Sequence, residues 1–235
     1  MYKPESAFSN HDTDLARLLE NSSTRDNLRE YAIQMQRYNA GIKEITTKLE
    51  ILDKEFSTRY EYNPIHHVES RLKSPRSIIE KLQRKNLPVS LNAIRKNVFD
   101  VAGVRVICNY IDDVYRVADL LTAQNDIKLI SSRDYIKEPK ENGYRSLHLV
   151  VEVPVYLAKG PVGVTVEVQV RTIAMDFWAS LEHKLRYKSD LEVSEELRRR
   201  LSICAEAIAE VDVEMQEINQ ELLNSPAKPD QSGIA

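Results

Sequence analysis

Residues 163 to 172, GVTVEVQVRT, alternate without a break, with Val164, Val166, Val168 and Val170 on one side and Thr165, Glu167, Gln169 and Arg171 on the other. Successive side chains on a pleated strand point to opposite faces, so a period of two commits this stretch to a strand with one buried face. The valine row is core. The second row is either a solvated sheet face, as antiparallel sheets often have, or the floor of a site, and the rest of the chain must decide between them.

Neighbouring stretches supply partners for this strand. LHLVVEVPVYL, joined to it through AKGPVG, is expected to pair with it as an antiparallel hairpin. In GYRSLHLVVEV, Tyr144, Ser146 and His148 share a parity, which lines an aromatic ring, a hydroxyl and an imidazole along one side of that second strand. VAGVRVICNY and IKLISSRDYI read as further strands with the helix IDDVYRVADLLTAQN between them. From Asp26 to about Phe56, Leu28, Met35, Ile42, Ile45, Leu49, Leu52 and Phe56 recur at threes and fours, a long amphipathic helix despite Gly41. NPIHHVESRL follows, with Pro64 expected at a first helical position. SPRSIIEKLQRKN opens with Ser74 as N-cap and Pro75 in the first turn. TIAMDFWASLEHKLRYK and SEELRRRLSICAEAIAEVDVEMQEINQELL are helices. This order predicts an α+β fold, a mixed, largely antiparallel sheet flanked by helices, covered on one side and open on the other. One domain is expected over residues 24–223, between a flexible segment 1–23 and a disordered tail 224–235.

Composition limits the alternatives. A chain of 235 residues, 42% hydrophobic and 29% charged, builds one core of ordinary size. Its apolar runs are too short and too interrupted to span a bilayer, and MYKPESAFSNHD lacks the regions of a signal peptide, so a cytoplasmic protein without membrane contact is expected. Cys108 and Cys204 have no metal-ligand spacing and read as reduced packing residues. The net charge of −3 conceals an asymmetry. Between Arg71 and Lys96 eight basic residues face one acidic residue, Glu80, whereas from Asp190 to Glu221 ten acidic residues face three arginines. A basic segment on a mildly acidic chain points to a polyanion recognised locally, phosphates first, rather than to a general nucleic-acid binder. With a sheet face bearing a ring, a carboxylate and an arginine, it has the makings of a nucleotide site with a metal.

Four stretches in order carry a family resemblance: Arg71-Leu-Lys73-Ser-Pro-Arg-Ser77-Ile-Ile-Glu-Lys81; Asp100-Val-Ala-Gly-Val-Arg105; Gly143-Tyr144-Arg145-Ser146-Leu147-His148; and Glu167-Val-Gln169-Val-Arg171-Thr172 with the following Met-Asp-Phe-Trp-Ala-Ser-Leu-Glu-His. They resemble the synthetase domain of the RelA/SpoT superfamily, and within it the stand-alone small alarmone synthetases of the RelQ and RelP type. The likeness runs from about Pro64 to Lys188. It implies a nucleotidyltransferase-like domain with long terminal helices that transfers the β,γ-pyrophosphate of ATP to the 3′-hydroxyl of GDP or GTP, with Mg²⁺, releasing AMP. Two other readings stay open: a toxin-like relative that pyrophosphorylates tRNA or adenine nucleotides, and an inactive RNA-binding relative, so an RNA partner is not excluded.

Residue by residue, the resemblance places Arg71, Lys73, Ser77, Lys81 and Arg105 on ATP, with Arg71 and Arg105 sandwiching adenine, since a planar guanidinium stacks on a base. Lys140, Tyr144, His148, Gln169 and Asp176 are expected on GDP or GTP, with Tyr144 stacking on guanine. Asp100 and Glu167 are the expected catalytic carboxylates and Mg²⁺ ligands, because that ion takes one or two protein carboxylates and fills its shell with water and phosphate. Asp100 has opposite parity to Arg105, so it either begins the strand or requires a bulge at Gly103. Arg171 is expected to hold Glu167 ionised or to touch a phosphate. His11-Asp12 looks like the pair of the family's hydrolase domain but reads as a chance dipeptide, so alarmone hydrolysis is not expected. Trp178 and Phe177 are assigned to the core. The stripe Leu197, Leu201, Cys204, Ala205, Ile208, Val211, Met215, Ile218 and Leu222 is longer than one domain needs, which predicts a homo-oligomer, by resemblance a tetramer, unless the first helix covers it.

Overall fold

A computed structural model describes residues 24–188 and 194–224; the expected flexible segment 1–23, the His11-Asp12 pair and the tail beyond Asn224 lie outside the described residues. Helix α1 (Thr24–Arg59) leads into strand β1 (Ile65–Leu72), the short helices α2 (Pro75–Arg84) and α3 (Leu91–Asn97), then β2 (Ala102–Cys108), α4 (Ile111–Thr122), β3 (Lys128–Asp134), β4 (Leu147–Leu157), β5 (Gly160–Thr172), α5 (Ile173–Lys188) and α6 (Glu195–Asn224). The five strands lie in the order β1-β2-β5-β4-β3. Among the described strand pairs, only β2–β5 is parallel. The mixed, largely antiparallel sheet flanked by helices is therefore as expected.

The valine row of β5 decides the packing. Val164, Val166, Val168 and Val170 are 3, 0, 0 and 0% exposed, in one core with Ile42, Ile45 and Leu49 of α1 and Val114, Val117 and Leu121 of α4. Gly41 fits this contact: a Cβ there would lie 2.6 Å from Val164 Cγ1. A helix without a side chain at that turn can rest directly on a branched row. The β4–β5 hairpin closes through a two-residue turn at Ala158–Lys159 into Gly160, whose φ of 113° a side chain would strain.

Two elements differ from the sequence reading. NPIHHVESRL is strand β1, not a helix: Pro64 precedes its first residue, and Val68, Glu69 and Ser70 pair antiparallel with Val106, Arg105 and Val104. Long-range pairing has overridden the local proline signal. LNAIRKN, unassigned from sequence, is helix α3, capped by the Ser90 side chain accepting from Ala93 N. The Ser74 cap of α2 is as expected, with its hydroxyl accepting from Ser77 N at 3.3 Å.

Candidate active site

The second face of the sheet collects the polar row. Across the strands, register places Arg71, Gly103, Glu167, Val150 and Ser131 in one line, and Glu69, Arg105, Gln169, His148 and Arg133 in the next. Residues in line across neighbouring strands share a face. Gly103 leaves a gap with no side chain between Arg71 and Glu167.

Asp100 stands in the turn just before β2 rather than in a bulged strand. Lys73 Nζ and Lys81 Nζ approach its two oxygens at 2.9 and 2.8 Å. Burial alone would raise this carboxyl; the two ammonium groups overcome it and hold Asp100 below the ordinary carboxylate range. Lys81 reaches it from α2 one turn after Ser77, whose hydroxyl accepts from Ser74 Oγ at 2.9 Å. Arg71 is exposed on β1. Arg105 is held at 3.0 Å by Glu69 and at 3.5 Å by Asp176.

Glu167 sits mid-strand between these cations and an aromatic cluster. Gln169 Nε2 donates to its Oε2 at 2.8 Å, and His148 Nδ1 faces its Oε1 at 3.6 Å. Burial again pushes the carboxyl up, and His148 and Gln169 outweigh it, so Glu167 stays below its ordinary value; the Asp100 charge opposes them, which places the two carboxylates in each other's field. Beyond His148, the Tyr144 and Tyr135 rings meet it edge-on, with centroids at 5.7 and 5.1 Å. Lys140 Nζ lies 4.5 Å from the centroids of both tyrosines.

Several expectations need correction. Ser146 does not line the face: it is fully buried and its hydroxyl donates to Val170 O at 3.2 Å, because the chain enters β4 only at Leu147. Arg171 neither holds Glu167 directly nor is open to a phosphate; at 2% exposure it bonds Gln169, Tyr144 and Asp176 beneath the N-terminus of α5. Both polar ends of Gln169 are engaged, by Arg171 and by Glu167. Phe177 is 58% exposed rather than core, whereas Trp178 is buried and donates to Leu201 O at 3.1 Å. Cys204 is exposed; only Cys108 packs inside. Tyr135 and Glu69 were missed. Tyr135 shares the parity of Arg133 on β3, a signal the sequence carried; Glu69 was hidden by the helical reading of β1.

A groove of ≈ 680 Å³ lies away from this face, lined by Tyr62, Tyr110, Ile173, Phe177, Val211 and Met215. Its lining is mostly apolar, with Asn109 and Asp212 as its polar members, unlike the charged sheet face.

Residues 70–192 match the family model described as a region found in RelA / SpoT proteins. The chain belongs to the RelA/SpoT family. Among its relatives in that family, GTP pyrophosphokinase YwaC of Bacillus subtilis (strain 168) is 42% identical over 185 residues, covering 79% of this chain and 88% of the relative. GTP pyrophosphokinase YjbM of the same organism is 39% identical over 198 residues, 83% of this chain and 92% of the relative. The crystal structure of small alarmone synthetase 1 from Bacillus subtilis bound to its product pppGpp superposes with a TM-score of 0.77 at 37% identity, covering 83% of this chain and 98% of that one. Among the described residues of this RelA/SpoT protein, no helix is long and apolar enough to cross a membrane.

Proposed function

We propose that this protein is a (p)ppGpp synthetase of the cytoplasm, moving the β,γ-pyrophosphate of ATP to the 3′-hydroxyl of GDP or GTP. The observation that carries the reading is Glu167: a carboxylate kept ionised in mid-sheet, with the Lys73–Asp100–Lys81 cluster on one side and the Tyr135–Tyr144–His148 cluster on the other. One side suits a triphosphate and the other an aromatic base, with a proton acceptor between them. Similarity to the two named GTP pyrophosphokinases supports the same reaction.

In this scheme Lys73, Lys81, Ser77 and Arg71 bind the donor phosphates, and Arg105 stacks on adenine with Arg71. Tyr144 stacks on guanine, while Lys140 and His148 meet the acceptor phosphates; Gln169 and Asp176 border the base. Glu167 takes the proton of the 3′-hydroxyl as that oxygen bonds the β-phosphorus. The bond from the β-phosphorus to its bridge to the α-phosphate breaks, and AMP leaves with the bridging oxygen. Rigid placement suits a transfer in which alignment and charge neutralisation supply most of the rate.

Asp100 and Glu167 fit Mg²⁺: both are hard oxygen donors, both are kept ionised, and they stand at the starts of a parallel β2–β5 register, where Gly103 pairs with Glu167. These two residues would hold the ion, and when bound it would neutralise charge on the transferred group. The scheme also includes a homo-oligomer, a tetramer by family likeness. Ile173, Phe177, Leu181 and Leu185 on α5, and Val211, Met215, Ile218 and Leu222 on α6, leave two apolar rows exposed, and α1 is not what covers them: α6 packs on α5 and α4. Rows of this length in water mark an interface.

The purified protein incubated with labelled ATP and, separately, GDP, GTP, GMP, AMP and tRNA tests the reading. A labelled pyrophosphorylated guanine nucleotide and AMP are expected. Labelling of tRNA or AMP alone would replace this function by the toxin-like one, and no transfer to any acceptor would leave the inactive relative.

A further inference from the structure

Arg171 makes no contact with Glu167, yet it contacts Gln169, which donates to that carboxylate, and Tyr144, which meets His148, the other residue facing it. Its Nη2 donates to Gln169 Oε1 at 2.5 Å and to the Tyr144 hydroxyl at 3.3 Å, and its Nη1 donates to Asp176 Oδ1 at 3.3 Å. A guanidinium carries donors and no acceptor, so it imposes a direction on every group it meets. With Oε1 on Arg171, the Gln169 amide has only its NH₂ left for Glu167 Oε2, and it donates there at 2.8 Å. Turned over, the same amide would set NH₂ against guanidinium and carbonyl against carboxylate.

The second chain runs through Tyr144. Its oxygen accepts from Arg171, so an Nε2–H of His148 would have to share that oxygen with the guanidinium, whereas the hydroxyl proton is free to point at His148 Nε2, 2.8 Å away. Ser146, close by, spends its own proton on Val170 O at 3.2 Å. An imidazole that accepts at Nε2 carries its hydrogen on Nδ1 when neutral, and Nδ1 is the nitrogen that faces Glu167 Oε1 at 3.6 Å. In the other tautomer a bare lone pair would face the carboxylate.

We infer that Arg171 is a positioning residue that fixes, by two separate hydrogen-bond chains, the orientation of the Gln169 amide and the tautomer of His148, so that each oxygen of Glu167 meets a donor. Arg171, buried at the end of β5, closes the row that Glu167 and Gln169 begin without itself facing solvent. The consequence for turnover rests on the proposed role of Glu167; the direction of the two chains does not.

The test is the protonation pattern of the His148 ring nitrogens, read by ¹⁵N NMR above the imidazole titration in protein labelled at histidine and assigned with His148→Gln. Wild type is expected to carry hydrogen on Nδ1 with a bare Nε2. Because the Glu167 charge itself favours that tautomer, the deciding comparison is made in Glu167→Ala. There a single Nδ1–H form is expected to persist, and adding Arg171→Met or Tyr144→Phe is expected to release a mixture. Tyr144→Phe keeps the ring and removes only the hydroxyl, so it carries the test if Arg171→Met does not fold. A protonated Nε2 in wild type, or a mixture already in Glu167→Ala, overturns the inference; an unchanged single form in the double variants does the same. None of these readings depends on activity, so the failure of the proposed reaction would be seen separately.

Discussion

Replacing Gly41 by Ala sets two known effects against each other at one position of α1. In a helix interior, Ala is favoured over Gly by about 1 kcal/mol. Against this, the new Cβ would stand 2.6 Å from Val164 Cγ1, 3.1 Å from Val164 Cβ and 3.2 Å from Val166 Cγ2, where carbon pairs prefer roughly 3.5–4.0 Å. Val164 and Val166 are branched at Cβ and at most 3% exposed, so they have no free rotamer to turn into. Relief therefore requires α1 to lift by about 1 Å, and a gap of that size forfeits roughly a quarter to a half of the dispersion attraction at each contact it opens. Ile42, Ile45 and Leu49 lie on the face that would lift. Overpacking of this kind costs about 1–3 kcal/mol, so the clash wins and a net loss of about 1–2 kcal/mol is expected. At roughly 2–4 °C per kcal/mol for a chain of this size, Tm falls by about 2–8 °C. Thermal unfolding of Gly41→Ala, Val164→Ala and the double variant measures it, with Asn39→Ala at an exposed position of the same helix as the propensity control. The double variant is expected to recover part of the Gly41→Ala loss, since Val164→Ala removes the nearest atom. A Tm of Gly41→Ala at or above wild type, or strict additivity with Val164→Ala, would refute the reasoning.

Four further outcomes are expected. Glu167→Gln should lower turnover by about 10²–10⁴ and cost a few degrees of Tm, because its amide NH₂ must oppose a donor from either Gln169 or His148; turnover within a few-fold of wild type would return Glu167 to a solvated face. Tyr144→Ala should raise KM for the guanine nucleotide, one lost stack being worth about 1–3 kcal/mol, while KM for ATP stays nearly constant; a rise for ATP instead means that the two pockets are exchanged. Asp212, buried on α6 against the Thr172 hydroxyl at the end of β5, has its carboxyl pushed up by burial, only partly offset by that hydroxyl and the Arg145 charge. A raised carboxyl binds its proton more tightly folded than unfolded, so it favours folding at low pH and loses that contribution as pH rises through the folded value. Asp212→Asn is accordingly expected to melt higher than wild type at neutral pH, with the difference shrinking on acidification; a difference that grows toward low pH contradicts the assignment. Light scattering at micromolar concentration should give a mass above the 27.1 kDa monomer, and Phe177→Asp should return it to that mass; a wild-type monomer ends the proposal of assembly.

Sequence alone determined the elements whose signal is local. The β5 alternation, the 3.6-residue stripe of α1, the Ser74 cap of α2 and the parity of His148 and Glu167 all survive in the structure, because side-chain direction along a strand or helix follows from backbone geometry with little help from the rest of the fold. Asp100 and Glu167 were legible as carboxylates. What lay beyond sequence was whatever depends on who sits opposite. Strand β1 exists because β2 offers it an edge, and that partner outweighs Pro64. Phe177 points outward and Trp178 inward because α6 docks on one side of α5 only. Arg171 shares the parity of Glu167, and parity predicted contact; burial beneath the N-terminus of α5 gave it Gln169, Tyr144 and Asp176 instead. The face of a residue is a property of its own strand, but its neighbours in space come from register and helix docking, which are settled by contacts between segments far apart in the chain.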